Sequence, residues 1–272
     1  MKKSICILLS LLLLSSCRSF ETSNKSFDSS KEIVIIYSNN PSNNVKEAKE
    51  NELKNTPNVT LVNVGDNSNI ELMNSIGYDY SCFGLKDFDN GLEALYEKTC
   101  EANFKYLLCS ASYNGQTKDY FKKTAPYEVV DYDGIKVGYI GVLSPRYVET
   151  SPNNFKENGN IVVNFYNETE EVFYDTVECS IEKAKNKGAD YIVLLSNFDD
   201  DEKYSPYTLE ELISNLSYVD IVINENDYSE IGETRFKDKD NKNVLIVSNG
   251  VNKKQLGKII IKDSNISNYS LD

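Results

Sequence analysis

The chain has 272 residues, with 42 acidic side chains against 29 basic ones, a net charge of −13 and no histidine. The acidic balance excludes nucleic acid as a partner, because phosphate binding needs an unopposed basic surface. The missing imidazole excludes any histidine-built metal or catalytic site, and Cys82, Cys100, Cys109 and Cys179, with no C-x-x-C spacing among them, do not read as a zinc site.

The chain opens with Met1-Lys2-Lys3 and an apolar run over residues 5–14, too short to span a bilayer as a stable helix, so residues 1–16 read as a signal peptide. Leu14-Ser15-Ser16-Cys17 resembles the bacterial lipobox, which implies cleavage before Cys17 and lipid on its sulfur. Residues 17–31 are rich in Ser, Lys, Asp, Glu and Asn, cannot bury enough apolar surface to order themselves, and read as a flexible tether. The expectation is an extracytoplasmic protein held to a bacterial membrane through lipid on Cys17, with residues 32–272 as one domain. Export permits a disulfide, and Cys100 with Cys109 is the closest pair; buried thiols are the better reading of Cys82 and Cys109. No protein or small-molecule partner is identified by the sequence.

Short β-branched runs predict strands at 33–37, 59–64, 80–83, 106–111, 127–132, 135–142, 161–164, 191–195, 219–223, 244–248 and 256–261. Helical spacing appears at 45–54, 92–102, 168–187 and 209–216, the third ending on Lys187-Gly188 as a helix stop should. Strand alternating with helix predicts a largely parallel sheet. Asp131-Tyr132-Asp133-Gly134 is a tight-turn signal, and the last strands have no helix between them, so antiparallel pairs join the parallel ones. The loops at the carboxyl ends of the parallel strands, where α/β proteins place their sites, are 38–44, 65–69, 84–91, 196–201 and 224–228.

Three stretches carry a resemblance. They are Gly84-Leu85-Lys86-Asp87-Phe88-Asp89-Asn90-Gly91-Leu92, then Leu107-Leu108-Cys109-Ser110-Ala111-Ser112, then Gly134-Ile135-Lys136-Val137-Gly138-Tyr139-Ile140-Gly141-Val142. In this order they resemble the G-N-H-E-F-D-N-G block, the L-S-A-N strand and the G-x-K-V-G-x-I-G-L strand of the 5′-nucleotidase family, within the calcineurin-like metallophosphoesterases. The likeness runs from about residue 33 to about residue 262. It implies an α/β fold, a four-layer α-β-β-α sandwich with two mixed sheets, and a two-metal site at the strand ends.

Such a site needs carboxylate and imidazole ligands that clamp one phosphoryl group between two ions. By the resemblance, Asn40 stands at a ligand aspartate and Ser42 at a ligand histidine. Gly65-Asp66 keeps the aspartate that bridges the metals. Leu85 stands at a ligand asparagine, Lys86 at the catalytic histidine, and Asp89 at the residue that orients it. Asn197, Asn226 and Tyr228 take further histidine positions. Only Asp66 survives among the ligand positions, so no catalytic set is intact, no cofactor is expected, and any divalent cation would sit near Asp66.

Lys86, close to Asp66 and Asp87, is expected to pair with Asp66 in place of the lost metal charge as readily as to extend into solvent. Asn40, Asp66, Asn197, Asn226 and Asp227 could instead form an all-oxygen site for Ca²⁺ or Mg²⁺. The acidic run 199–202 reads as a solvated charge cluster, and the 19 tyrosines as core and core-edge residues. The first functional reading is a lipoprotein whose phosphoesterase-like domain is a non-catalytic binding or structural module. The alternatives are an active phosphoesterase with an altered oxygen-ligand metal site and a solute-binding lipoprotein. The latter predicts two hinged lobes, which the order of the strands disfavours.

Overall fold

In the computed structural model, residues 31–271 are described except for 40, 67–68, 117, 199–200, 202, 204, 226–232 and 249–255. The signal peptide, Cys17 and the tether up to residue 30 lie outside the described residues.

The amino-terminal half is a series of strand–helix units. β1 (Glu32–Ser38) leads through α1 (Asn43–Leu53) to β2 (Val59–Val64), and α2 (Ile70–Ile76) leads on to β3 (Tyr80–Cys82). A 3-10 turn (Leu85–Phe88) and α3 (Gly91–Glu101) precede β4 (Lys105–Leu107). These four strands pair in parallel, as helical crossovers require. Two short strands follow, β5 (Ser112–Tyr113) and β6 (Thr124–Ala125), and then the hairpin of β7 (Tyr127–Tyr132) and β8 (Ile135–Leu143). Its turn, Asp133-Gly134, takes positive φ at both residues, the geometry that suits a two-residue hairpin.

After α4 (Arg146–Thr150) come three two-residue strands, β9 (Lys156–Glu157), β10 (Asn160–Ile161) and β11 (Val163–Asn164). α5 (Glu170–Asn186) feeds β12 (Tyr191–Asn197), and α6 (Leu209–Ser214) feeds β13 (Ile221–Asn224). The chain then adds β14 (Glu233–Lys237), β15 (Asn243–Val247), β16 (Leu256–Lys262) and β17 (Asn265–Leu271). The two main sheets have the orders β17-β16-β1-β2-β3-β4-β6 and β14-β15-β13-β12-β8-β7, and both mix parallel with antiparallel pairs.

The two-residue period divides the side chains of each strand between a core shared by the two sheets and an outer core under the helices. Ile33, Ile35, Val62 and Val64 meet Val137, Val193, Leu195 and Ile221 between the sheets. Val34, Ile36 and Leu61 face Val45, Met73 and Leu95 of α1, α2 and α3 on one outer side, while Ile140, Ile192 and Leu194 face Phe173, Val177 and Ile181 of α5 on the other. The architecture is therefore a four-layer α-β-β-α sandwich. α5 forms because its apolar residues recur on one face, the Thr169 hydroxyl accepts from the Val172 N–H at 3.3 Å, and Glu170 and Glu171 occupy its first turn. Gly188, at φ +90°, follows it as expected. Tyr37, Tyr106, Tyr139 and Tyr147 are all buried.

Several expected boundaries move. The strand expected at 106–111 stops at Leu107, because the chain then crosses to the facing sheet. The Leu108 N–H still closes the pairing with Ala125 of β6, but the Cys109 N–H donates to the Gly141 carbonyl in the other sheet, and the Ser110 hydroxyl bonds both backbone groups of Leu143. The segment 161–164 divides between two ribbons, β10 with β9 and β11 with β5, because the Val162 N–H turns to the Phe155 carbonyl. β13 starts at Ile221 rather than 219, after Tyr218 at φ +65°. The elements absent from the sequence-based expectation include α2, capped by Asn69 and stopped by Gly77, α4, the short strands β5, β6 and β9, the strand β14 and the polar edge strand β17.

Candidate functional site

The carboxyl ends of β2, β3, β12 and β13 converge, two from each sheet. β2 ends in Gly65-Asp66, both at positive φ (+88° and +51°). A side chain at Gly65 would strike Glu225 Oε2 at 2.8 Å and the Gly84 backbone at 3.0 Å. One at Gly84 would lie 2.6 Å from Asp66 Oδ1 and 3.1 Å from Asn197 Nδ2. The two glycines thus let four loops pack to within contact of one another.

At this junction Lys86 holds Asp66 twice. Its ammonium donates to Asp66 Oδ2 at 2.7 Å, and its backbone N–H donates to Oδ1 at 3.1 Å. The Asp66 side chain is 15 % exposed and that of Lys86 64 %, so the lysine reaches inward from the rim. Asp87 is not part of this grip. It is buried beneath the 3-10 turn, where it accepts from the Gly84 N–H at 2.9 Å and from Lys98 Nζ at 3.0 Å. Burial raises its carboxyl above the ordinary range, with Lys98 and the Gly84 N–H opposing the rise.

Opposite, Asn197 Nδ2 donates to Glu225 Oε2 at 2.8 Å. Glu225 is only 6 % exposed, and its backbone N–H donates to the Ser196 carbonyl. Asn224 ties these loops together, since its amide oxygen accepts from the Phe198 N–H and the Ser196 hydroxyl while its amide nitrogen donates to the Phe198 carbonyl. Beneath them the Tyr147 hydroxyl donates to the Asn197 carbonyl at 3.3 Å. Burial pushes the Tyr147 phenol well up, so it stays protonated; Arg146 opposes the shift, while Glu225 and Asp66 add to it. One buried ring is therefore within electrostatic reach of two carboxylates and a guanidinium. Burial likewise raises the Cys82 thiol, with Glu225, Asp87 and Asp66 contributing.

Of the residues singled out in the sequence, the structure brings together Asp66, Lys86 and Asn197. Leu85 packs against the outer core, Ser42 is exposed at the N-cap of α1, and Asp89 is exposed at the end of the 3-10 turn. Asn40, Asn226, Asp227 and Tyr228 lie outside the described residues. From the acidic run, Asp201 pairs with Lys203 at 2.6 Å, while Asp199, Asp200 and Glu202 also lie outside. Cys100 is an exposed free thiol and Cys109 a buried one, so the two are not joined, and Cys82 is buried as expected. Glu225, Asn224, Tyr147 and Arg146 join the site without having been singled out by motif or spacing. The signal for Glu225 was a carboxylate two residues after the apolar run Ile221-Val222-Ile223, just past the end of β13.

Two divalent ions need several anionic or imidazole donors around shared points. Among the described residues no three His, Cys, Asp or Glu side chains converge in that way, and both oxygens of Asp66 already receive Lys86. The described donor set does not fit a two-metal centre.

No protein-family profile matches the chain. A stretch of 72 residues, 26 % of this chain and 12 % of its relative, is 37 % identical to a 5′-nucleotidase of Vibrio cholerae. Among solved structures, a 5′-nucleotidase precursor from Thermus thermophilus superposes on 88 % of this chain with a TM-score of 0.69 at 18 % identity. The calcineurin-like phosphoesterase YfkN from Bacillus subtilis superposes on 89 % with a TM-score of 0.64 at 17 % identity. The match spans 54 % of the former and 90 % of the latter, so the chain covers about half the length of the nucleotidase precursor. The chain has the mixed α/β fold of the 5′-nucleotidase-like, calcineurin-like phosphoesterases.

Proposed function

We propose that this chain is a lipid-anchored, extracytoplasmic module in which the phosphoesterase fold persists without metal-dependent catalysis, and that it serves as a binding or structural domain. The observation that carries the reading is the double grip of Lys86 on Asp66 at 2.7 and 3.1 Å. Asp66 corresponds by resemblance to the metal-bridging aspartate, and here the Lys86 ammonium supplies the positive charge beside it and would repel a pair of divalent ions. Asn197, at a family histidine position, turns its amide nitrogen to Glu225 Oε2 at 2.8 Å. The lipobox-like Leu14-Ser15-Ser16-Cys17 supports the anchor.

One experiment addresses both halves of this reading. The full chain, expressed in a bacterium that processes lipoproteins, should sediment with membranes, and Cys17→Ser should release it. Neither form should hydrolyse a nucleoside monophosphate or 4-nitrophenyl phosphate above the buffer rate with Mg²⁺, Mn²⁺, Zn²⁺ or Ca²⁺. Turnover that a chelator abolishes would overturn the non-catalytic reading, and equal sedimentation of Cys17→Ser would overturn the anchor.

A further inference from the structure

We infer that β17 is the contact edge of a symmetric dimer, in which two copies of this chain pair their β17 strands antiparallel and join two seven-stranded sheets into one. The inference goes beyond the reading above and does not depend on it. Each main sheet has two outer strands, and three of the four are guarded against further pairing by shortness or by charge. β6 has two residues, β7 carries Glu128 and Asp131, and β14 carries Glu233, Arg235 and Lys237. β17 has no such guard. Its seven residues, Asn265-Ile266-Ser267-Asn268-Tyr269-Ser270-Leu271, include neither a charge nor a proline. The two lysines of β16 beside it are neutralised within the chain, Lys258 by Glu52 at 2.7 Å and Lys262 by Glu32 at 3.4 Å.

The ladder fixes which groups this edge offers. The Val34 N–H donates to the Asn58 carbonyl on the β2 side, so Ile33, Ile35 and Tyr37 turn their backbone groups to Ile261, Ile259 and Gly257 of β16. Lys258, Ile260 and Lys262 then bond Tyr269, Ser267 and Asn265, which leaves the N–H and C=O groups of Ile266, Asn268 and Ser270 pointing out of the sheet. Among the described residues no strand lies beyond them. The antiparallel register that pairs all three sets Asn268 opposite its own counterpart, Ile266 opposite Ser270, and Ser267 opposite Tyr269, about a twofold axis normal to the sheet. A second copy suits the edge for this reason and for its charge: an uncharged strip is where two chains of net charge −13 can meet without apposing like charges. One strand pair buries less than a standard interface, so the dissociation constant should be on the order of 10–100 µM.

The test is sedimentation of residues 18–272, which contain all three described cores, at concentrations from about 1 to about 300 µM. A cooperative thermal melt verifies that each form folds. The weight-average mass of wild type should climb towards twice that of the monomer, and raised salt should favour the dimer by screening the two net charges. Ser267 is half-buried and Tyr269 is 48 % exposed, so both can be replaced at the surface. Ser267→Lys with Tyr269→Lys, and Ser267→Glu with Tyr269→Glu, each set like charges directly opposite one another across the axis and should be monomeric throughout. An equimolar mixture of the two variants should form a heterodimer that salt weakens. A wild type that stays monomeric would overturn the second copy as occupant, and either variant associating as wild type does would overturn β17 as the contact. A mixture of the folded variants that remains monomeric would overturn the antiparallel pairing.

Discussion

Gly141→Ala should destabilise the protein by about 3 kcal/mol and lower its melting temperature by roughly 6–12 °C, a large value for a single methyl group. A Cβ at Gly141 would stand 2.0 Å from the Leu107 carbonyl oxygen and 2.4 Å from its carbon, and these are backbone atoms that no rotamer change can move. The same place carries the bond from the Cys109 N–H to the Gly141 carbonyl, 2.8 Å long, that links the end of β4 to β8 in the facing sheet. Pushing the sheets apart there strains or breaks that bond and opens the buried layer behind Leu107, Val137 and Leu195. Gly159→Ala supplies the comparison. Gly159 has φ +85°, but a methyl group there would meet nothing within 4 Å, so only the left-handed backbone is penalised, by about 1 kcal/mol. Denaturant unfolding that finds the two variants equally stable would show that close approach of the sheets at Gly141 is not what fixes their spacing.

Lys98→Met should cost about 3 kcal/mol at neutral pH, because it takes the ammonium away from the buried Asp87 carboxylate. The penalty has a definite pH dependence. Burial already holds the Asp87 carboxyl above its ordinary value, and loss of the ammonium raises it further. A carboxyl that binds its proton more tightly when folded destabilises the protein fully above the folded pKa. That penalty fades as pH falls from the folded value towards the unfolded one. The gap in stability between wild type and Lys98→Met should therefore narrow on acidification, and Asp87→Asn in the Lys98→Met background should recover part of the loss at pH 7. A gap independent of pH would mean that lost packing of the Lys98 stem, not the stranded charge, dominates. Both substitutions act beneath the 3-10 turn that carries Lys86, so the position of Lys86 over Asp66 should loosen with them.

The layered fold was legible because its signals are local and periodic. Ile33 to Tyr37, Tyr191 to Leu195 and the hairpin at Asp133-Gly134 declare themselves by composition and turn chemistry. β17 did not, because Asn265, Ser267, Asn268 and Ser270 give an edge strand a polar sequence, and its pairing is supplied by β16. The end of β4 was misjudged for a related reason. Leu108 to Ser110 remain apolar or small, as in a strand, but the Cys109 N–H and the Ser110 hydroxyl find their partners on β8 in the facing sheet. At the site, Asp66, Lys86 and Asn197 were found through resemblance and order along the chain. Glu225, Tyr147 and Arg146 were not, since the role of each depends on a neighbour from the other sheet or from another loop. The local sequence places Glu225 at a strand end but says nothing of the bond it accepts from Asn197, 28 positions earlier in the chain.

The most direct measurement is a crystal structure of residues 18–272, soaked in Mn²⁺, with anomalous data collected for the metal. If Lys86 has replaced the metal, its ammonium will lie within hydrogen-bonding distance of Asp66 and no anomalous peak will appear among Asp66, Asn197 and Glu225. A strong peak coordinated by Asp66, with the Lys86 side chain turned away into solvent, would contradict that replacement.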